Sequence, residues 1–250
     1  MKLGIFDSGV GGLSVAKHIL ESKIFEEIIY FGDTARVPYG VKDKETIIKF
    51  SLEALEFFIS HKVDMLIVAC NTVSAYALES MRSRACFPII GVIEPGVIAL
   101  KNSLPNTQHH ILVLATKATI NSNQYQHQLA LNGYTNVKAL ATGLFVPIVE
   151  EGAYPSEILN ASMHYYFHTL ATKPNAIILG CTHFPLIADC IADYFENKSI
   201  LIHSGEAIVE YLDSAYHLKP NQVKHTQIEF FASSDVEHLK SCAHKWCNIP

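Results

Sequence analysis

The chain has 250 residues, 49% of them hydrophobic and 17% charged, and a formal net charge of −5 at pH 7. This composition predicts a folded protein with one large domain or two modest ones. A nucleic-acid-binding face needs clustered Lys and Arg, and here only Arg82 and Arg84 come close together, separated by Ser83. We therefore expect no direct nucleic-acid partner. No apolar stretch reaches the roughly 18 residues of a membrane span, so we expect no membrane partner either.

Six cysteines are present, and none forms a CxxC pair. The first residues lack the apolar core of a signal peptide, so we expect a cytoplasmic protein with reduced thiols. Cys242, His244 and Cys247 form a weak metal pattern. They follow Asp235 on an amphipathic pattern that predicts a helix, so we interpret them as core residues and expect no metal site.

Short apolar runs alternate with helical patterns along the chain. The predicted strands cover residues 3–6, 28–31, 65–69, 89–92, 111–115, 137–141, 177–179 and 200–202. The predicted helices cover residues 45–59, 72–81, 95–100, 119–131, 157–170 and 185–195. Because the strands are continuous Val, Ile and Leu rather than alternating, both faces of each sheet should be covered by helices.

Strand–helix alternation predicts an α/β fold with mainly parallel, doubly wound sheets. Two strands end alike, and their cysteines lie 111 positions apart, which favours two similar lobes with the active site in the cleft between them. We assign residues 1–92 and 206–250 to a first lobe that carries Cys70, and residues 93–205 to a second that carries Cys181. A TIM barrel is the alternative for this length, but eight even repeats are not found.

A glycine-rich turn follows the first strand, from Asp7 and Ser8 to Ser14. Backbone N–H groups at such a turn can hold an anion. Ser14 occupies the third glycine position of a dinucleotide fingerprint, and a Walker ending is missing. The turn therefore suits a small substrate, or else Asp7 merely caps the helix.

The second strand leads into a turn in which Pro38 and Gly40 flank Tyr39. A fixed turn of this kind can place a ring and backbone donors against a ligand, or it can be purely structural. Asp33 and Arg36 in the same segment are spaced to pair with each other.

Cys70 and Cys181 each follow a buried strand and precede polar residues. A free cysteine is most often a small buried hydrophobe. Two thiols in matching positions, however, could remove a proton on one face of a substrate and deliver one on the other. Neighbouring donors and helix N-termini favour the thiolate that such chemistry needs. His183 is placed to tune Cys181, Glu150 is placed to orient His183, and Cys86 and Cys190 are interpreted as structural.

Five segments together resemble the signature blocks of the glutamate racemase family, and they occur in the family's order: residues 4–12, 30–40, 68–72, 91–95 and 179–186. The resemblance implies a cofactor-independent enzyme that interconverts L-glutamate and D-glutamate and supplies D-glutamate for peptidoglycan. It implies that Cys70 and Cys181 are the two bases, that Asp7 assists Cys70, and that His183 and Glu150 support Cys181. The implied substrate contacts are Asp7, Ser8, Tyr39, Gly40, Asn71, Thr72, Thr116, Thr119, Thr182 and His183.

The resemblance also implies a homodimer. Some family members bind and inhibit DNA gyrase, but the sequence contains no feature that supports this role here. The long N-terminal extension of members activated by a cell-wall nucleotide precursor is missing, so we do not expect that control. A racemase or decarboxylase of the same architecture, acting on aspartate or a related small acid, is the nearest alternative. A zinc or disulfide site at the two cysteines is another. The helix that contains Trp246 is expected to pack on its own lobe or on a partner.

Overall fold

A computed structural model describes residues 1–249. Its strands form two separate, entirely parallel sheets, which confirms the predicted two-lobe α/β fold. The first sheet has the order β4-β3-β1-β2-β9, with β1 Lys2–Asp7, β2 Glu27–Gly32, β3 Met65–Val68, β4 Ile89–Gly91 and β9 Gln227–Ala232. The second has the order β6-β5-β7-β8, with β5 Ile111–Ala115, β6 Val137–Ala141, β7 Ala176–Gly180 and β8 Ile200–Ile202.

Four strands of each sheet follow the same plan. Reading from β4, the first sheet runs β4-β3-β1-β2; reading from β8, the second runs β8-β7-β5-β6. The strands β3 and β7 therefore occupy equivalent places, each beside the first strand of its sheet. Since both precede a cysteine in the sequence, the two thiols lie at equivalent points of the two lobes.

Burial explains why these segments form strands. Every residue of β3, β5 and β7 is buried, as expected for strands covered by helices on both faces. The edge strand β9 alternates exposed and half-buried positions instead. It was not predicted, because Glu229 lies between Ile228 and Phe230 and interrupts the apolar run.

Within residues 1–249, twelve α-helices cover the sheets: α1 Leu13–Ser22, α2 Lys44–Ser60, α3 Asn71–Tyr76, α4 Leu78–Arg82, α5 Ile93–Ser103, α6 Lys117–Asn121, α7 Gln124–Leu131, α8 Phe145–Glu150, α9 Glu157–Phe167, α10 Ala188–Tyr194, α11 Ser204–Tyr216 and α12 Val236–Cys247. Short 3₁₀ helices cover Thr34–Arg36, Tyr39–Val41 and Phe184–Ile187.

Three predicted helices differ from the structure. The helix predicted for 72–81 is broken at Ala77, whose φ of −112° is outside the helical range. The helix predicted for 119–131 is broken at Asn123, which has a positive φ of 57°. The helix predicted for 185–195 begins as a 3₁₀ turn because Pro185 stands near its start. The sequence reasoning did not identify α8 or α11.

The chain crosses between the lobes twice. Helix α5 follows β4 into the second lobe, and α11 follows β8 back toward the first, where it packs on α1 and α5. The last strand then pairs with β2 in parallel register. Helix α12 packs on the first lobe, where Leu239, Trp246 and Ile249 contact its core. The exact lobe boundaries, 1–92 with 206–250 and 93–205, stay a prediction.

No helix within residues 1–249 combines the length and the apolar character that crossing a bilayer requires.

Candidate active site

Cys70 and Cys181, which follow the equivalent strands β3 and β7, line the same cavity between the lobes. Cys70 follows the carboxyl end of β3 and caps α3, and Cys181 follows the carboxyl end of β7. Both side chains are buried, and both line one cavity. The other lining residues are Ser8, Val37, Pro38, Tyr39, Gly40, Asn71, Thr72, Thr116, Val146, Gly180, Thr182 and His183. Carboxyl ends of parallel strands are the usual position of α/β ligand sites.

The Cys70 thiol lies in an environment that keeps it protonated. Its Sγ donates to the Ser8 hydroxyl at 3.4 Å. Burial raises the pKa of Cys70 to about 12, and the negative charges of Asp7 and Cys181 act in the same direction. The hydrogen bonds of Cys70 with the Ser8 side chain and the Val73 backbone oppose the rise. At neutral pH, Cys70 is therefore a proton donor.

Asp7 lies behind Cys70 rather than on the cavity wall. It is completely buried, and its Oδ2 accepts from the Gly9 N–H at 2.9 Å while its Oδ1 accepts from the Thr182 hydroxyl at 3.3 Å. Burial raises the pKa of Asp7, and the charge of His183 and these hydrogen bonds oppose the rise. Asp7 is not among the residues that line the cavity, and its implied substrate contact stays a prediction.

His183 connects Cys181 to a carboxylate. Its Nδ1 lies 3.8 Å from Cys181 Sγ, and its Nε2 lies 3.0 Å from Glu150 Oε1. Burial tends to lower the pKa of His183, but Cys181 and Glu150 outweigh it and raise that pKa to about 10. A protonated imidazole beside a thiol favours the thiolate. Cys181 is thus placed to act as a base while Cys70 holds a proton.

The turn after β2 forms one wall of the cavity. The completely buried Asp33 binds the Tyr39 hydroxyl through Oδ2 and pairs with Arg36 Nε at 2.7 Å, so the anticipated Asp33–Arg36 pair is present. Burial and the bond to Asp33 raise the pKa of Tyr39, which keeps its phenol protonated. Gly40 approaches the second lobe so closely that a Cβ there would lie 2.5 Å from Thr116 Cβ.

Three hydroxyls from the two lobes form a mutual cluster beside the turn. Thr72 Oγ1 lies 3.0 Å from Thr116 Oγ1 and 3.1 Å from Thr119 Oγ1, and the last two are 3.0 Å apart. Thr116 also caps α6. The cluster presents hydroxyl donors at a helix start, which suits a carboxylate. Thr119 is buried behind Thr116 and does not line the cavity.

Asn71 offers a further donor. It is 2% exposed and lines the cavity, and its Nδ2 has no hydrogen-bond partner among the described residues. A buried amide nitrogen without a partner is costly, and a ligand oxygen would satisfy it.

The structure brings most predicted site residues to one cavity. Cys70, Cys181, Ser8, Tyr39, Gly40, Asn71, Thr72, Thr116, Thr182 and His183 line it, whereas Asp7, Thr119 and Glu150 stand behind it. Sequence reasoning missed Ser14, whose hydroxyl donates to the Thr182 carbonyl at 2.8 Å across the lobes, and Tyr125, which contacts Asn71. Within residues 1–249, no three or more His, Cys, Asp or Glu side chains are grouped to hold a metal ion.

Two opposed thiols in the cleft of a two-lobe α/β fold define an amino-acid racemase, an isomerase. The family model described as Asp/Glu/Hydantoin racemase matches residues 15–212. A glutamate racemase of Campylobacter jejuni is 56% identical over 249 residues, which is 100% of this chain and 99% of that protein. The chain belongs to the Asp/Glu/Hydantoin racemase family.

Solved structures agree with this assignment. The crystal structure of glutamate racemase from Campylobacter jejuni matches 100% of this chain and 99% of its own, with a TM-score of 0.97 at 56% identity. Glutamate racemase from Francisella tularensis, solved in complex with D-glutamate, covers 99% of this chain and 94% of its own, with a TM-score of 0.87 at 34% identity.

Proposed function

We propose that this racemase interconverts L-glutamate and D-glutamate without a cofactor, with Cys70 and Cys181 as the two acid–base groups. One observation carries the proposal: two buried thiols from different lobes line the same cavity, one held protonated and the other beside a protonated imidazole. A two-base racemase needs such unlike protonation states, because one group must accept a proton while the other donates one.

In the direction from L-glutamate to D-glutamate, Cys181 is the base and Cys70 is the acid. The Cys181 thiolate takes the Cα proton of L-glutamate, and the electron pair of that bond moves into the α-carboxylate as an enolate-like charge. The Cys70 thiol then delivers its proton to the opposite face of Cα. The products are D-glutamate, a Cys181 thiol and a Cys70 thiolate, and the reverse reaction uses the same groups in exchanged roles.

Uncharged donors make the carbanion accessible. Asn71 Nδ2 and the hydroxyls of Ser8 and Thr72 stand along the cavity wall, where they can bind carboxylate oxygens, and Thr182 lines the same wall. Such fixed donors stabilise charge that develops in the transition state, and losing one typically costs about 10²–10³ in rate. Tyr39, Gly40 and Thr116 line the same cavity and are proposed as further substrate contacts.

Four residues are proposed to act through others. Asp7 supports Cys70 by its charge and holds the Thr182 hydroxyl, and Thr119 holds the Thr72 and Thr116 hydroxyls. Glu150 keeps His183 protonated, and His183 stabilises the Cys181 thiolate.

We further propose that the enzyme is a cytoplasmic homodimer that supplies D-glutamate for peptidoglycan. The family resemblance supports this role. Sedimentation equilibrium of the purified protein, at concentrations spanning the low micromolar range, measures the dimer directly; a single monomer mass throughout would contradict it.

The test is a cofactor-free incubation of the purified protein with L-glutamate and D-glutamate separately in D2O. We expect both enantiomers to lose optical rotation, with deuterium at Cα of the product. A parallel incubation with aspartate measures selectivity. Rotation lost with aspartate but not with glutamate would replace the proposed substrate, and no change with either acid would contradict the proposed activity.

A further inference from the structure

Tyr125 is a buried phenol that the reaction described above does not use. It lies near the start of α7 in the second lobe, and its side chain is 1% exposed. Burial raises the pKa of Tyr125, and the charge of Cys181 adds to the rise while a hydrogen bond from Ser204 opposes it. The phenol therefore keeps its proton at neutral pH and acts as a donor.

The hydroxyl of Tyr125 bonds to the first lobe. It donates to Asn71 Oδ1 at 2.7 Å, directly beside Cys70 in sequence. With its oxygen bound to Tyr125, the Asn71 amide has a fixed orientation, and its Nδ2 is the atom without a partner. An amide without this bond could rotate and present its oxygen to the cavity instead.

The ring of Tyr125 lies against the end of β7, the strand that precedes Cys181. A Cβ at Gly180, the residue before Cys181, would lie 3.0 Å from Tyr125 Cε2. The same side chain therefore contacts the neighbours of both cysteines, Asn71 on one lobe and Gly180 on the other. The absence of a side chain at Gly180 makes this close approach feasible.

We infer that Tyr125 is a positioning residue that fixes the Asn71 amide with Nδ2 directed at the substrate carboxylate beside Cα. The inference rests on the proposed function, since it assigns a use to a donor in that site. A donor next to the Cys70 base is well placed for the carboxylate on which charge develops. The orientation of Asn71 Nδ2 should therefore affect the energy of the transition state, and hence kcat, more than substrate binding.

The first test replaces Tyr125 by Phe, which keeps the ring and removes the hydroxyl. We expect Tyr125→Phe to lower kcat with glutamate about tenfold while KM changes less than about twofold, because the lost contribution is to the transition state. In an Asn71→Ala background, the same change should lower kcat by less than about twofold, since the group that Tyr125 orients is then absent.

Tyr134→Phe is the matched control. Tyr134 is also 1% exposed and packs in the same cluster, but its hydroxyl donates to the Leu104 carbonyl at 2.6 Å, away from the cavity. We expect it to leave kcat unchanged. An equal loss in Tyr134→Phe, an unchanged kcat in Tyr125→Phe, or an undiminished loss in the Asn71→Ala background would each overturn the inference.

A second variant keeps the test valid if Tyr125→Phe does not fold. Asn71→Asp retains an oxygen for Tyr125 and replaces the Nδ2 donor with an acceptor. We expect kcat to fall at least about tenfold, and wild-type kcat would overturn the claim that Nδ2 faces the substrate. Failure of the proposed function gives a different result, because the wild-type enzyme itself would then not racemise glutamate.

Discussion

Glu150 Oε1 lies 3.0 Å from His183 Nε2, and the side-chain exposure changes from 34% at the carboxylate to 5% at the imidazole. The pair therefore extends from the protein surface to the buried thiol of Cys181. Glu150 ends α8, and His183 lies just before the 3₁₀ turn Phe184–Ile187. Together with Cys181, this contact raises the pKa of the His183 imidazole.

Removing the carboxylate charge at this pair should weaken the base. In Glu150→Gln the pKa of His183 should fall, because a positive contribution to that pKa is lost. We expect kcat for L-glutamate to fall about tenfold and the alkaline limb of its pH profile to move to lower pH. Steady-state polarimetry across pH 6–10.5 measures both. Glu151→Gln, an exposed neighbour, is the control, and an identical profile in the two variants would contradict the role of Glu150.

Each active-site thiol should be indispensable. A serine hydroxyl is a far weaker acid than a thiol, so Cys70→Ser and Cys181→Ser should each lose at least about 10³-fold in racemisation. Each residue is a base in one direction and an acid in the other, so both directions should be lost. The exposed Cys86 provides the control variant Cys86→Ser. Measurable racemisation by both active-site serine variants would refute the two-base mechanism.

The close approach of Gly40 to Thr116 should be sensitive to a single methyl group. In Gly40→Ala the new Cβ would lie 2.5 Å from Thr116 Cβ, so the turn and α6 would have to move apart. Because the Thr72–Thr116 bond lies there, we expect KM for glutamate to rise about tenfold. Gly143→Ala is matched to it, since a Cβ at Gly143 meets nothing within 4 Å. Equal KM values in both variants would argue against a role for this wall.

Stability should decline at alkaline pH. His183 titrates at about 10 in the folded protein, against an ordinary value of 6.5. Its contribution is therefore complete below pH 6.5 and is lost as the pH rises through 10. Cys70, whose pKa is raised from 9.0 to about 12, adds a loss of the same sign above pH 9.

Urea unfolding under reducing conditions measures this dependence. We expect the free energy of unfolding to fall between pH 6.5 and 10 in the wild type and to fall less steeply in Glu150→Gln. A free energy of unfolding that is constant over this range would contradict a raised pKa of His183.

Much of the fold could be predicted because its strands are buried on both faces. The continuous apolar runs that precede Cys70 and Cys181 indicate β3 and β7 without ambiguity. The edge strand β9 has one exposed side, and Glu229 interrupts its apolar residues, so it has no continuous apolar run like those of β3 and β7. Helix α11 had a detectable signal, since Ile208 and Leu212 are spaced one turn apart and both are buried.

The site was predictable only where its residues follow the strands. Cys181 and His183 are two positions apart, so their meeting depends on local geometry. Tyr125 and Asn71 are 54 positions apart and belong to different lobes, and their contact depends on how the lobes pack. No local pattern in either helix marks that bond. The same holds for Ser14 and Thr182, which are 168 positions apart.

The pairing of β2 with β9 also determines the order in which the chain can be assembled. Glu27 is opposite Gln227, so this ladder joins residues 200 positions apart. During synthesis, β2 has an unpaired edge until nearly the whole chain has left the ribosome, whereas every strand of the second sheet lies within residues 111–202. The second lobe can therefore complete its sheet first. Until β9 is synthesised, β2 is an unpaired edge strand of the first lobe. An unpaired edge can pair with a wrong strand.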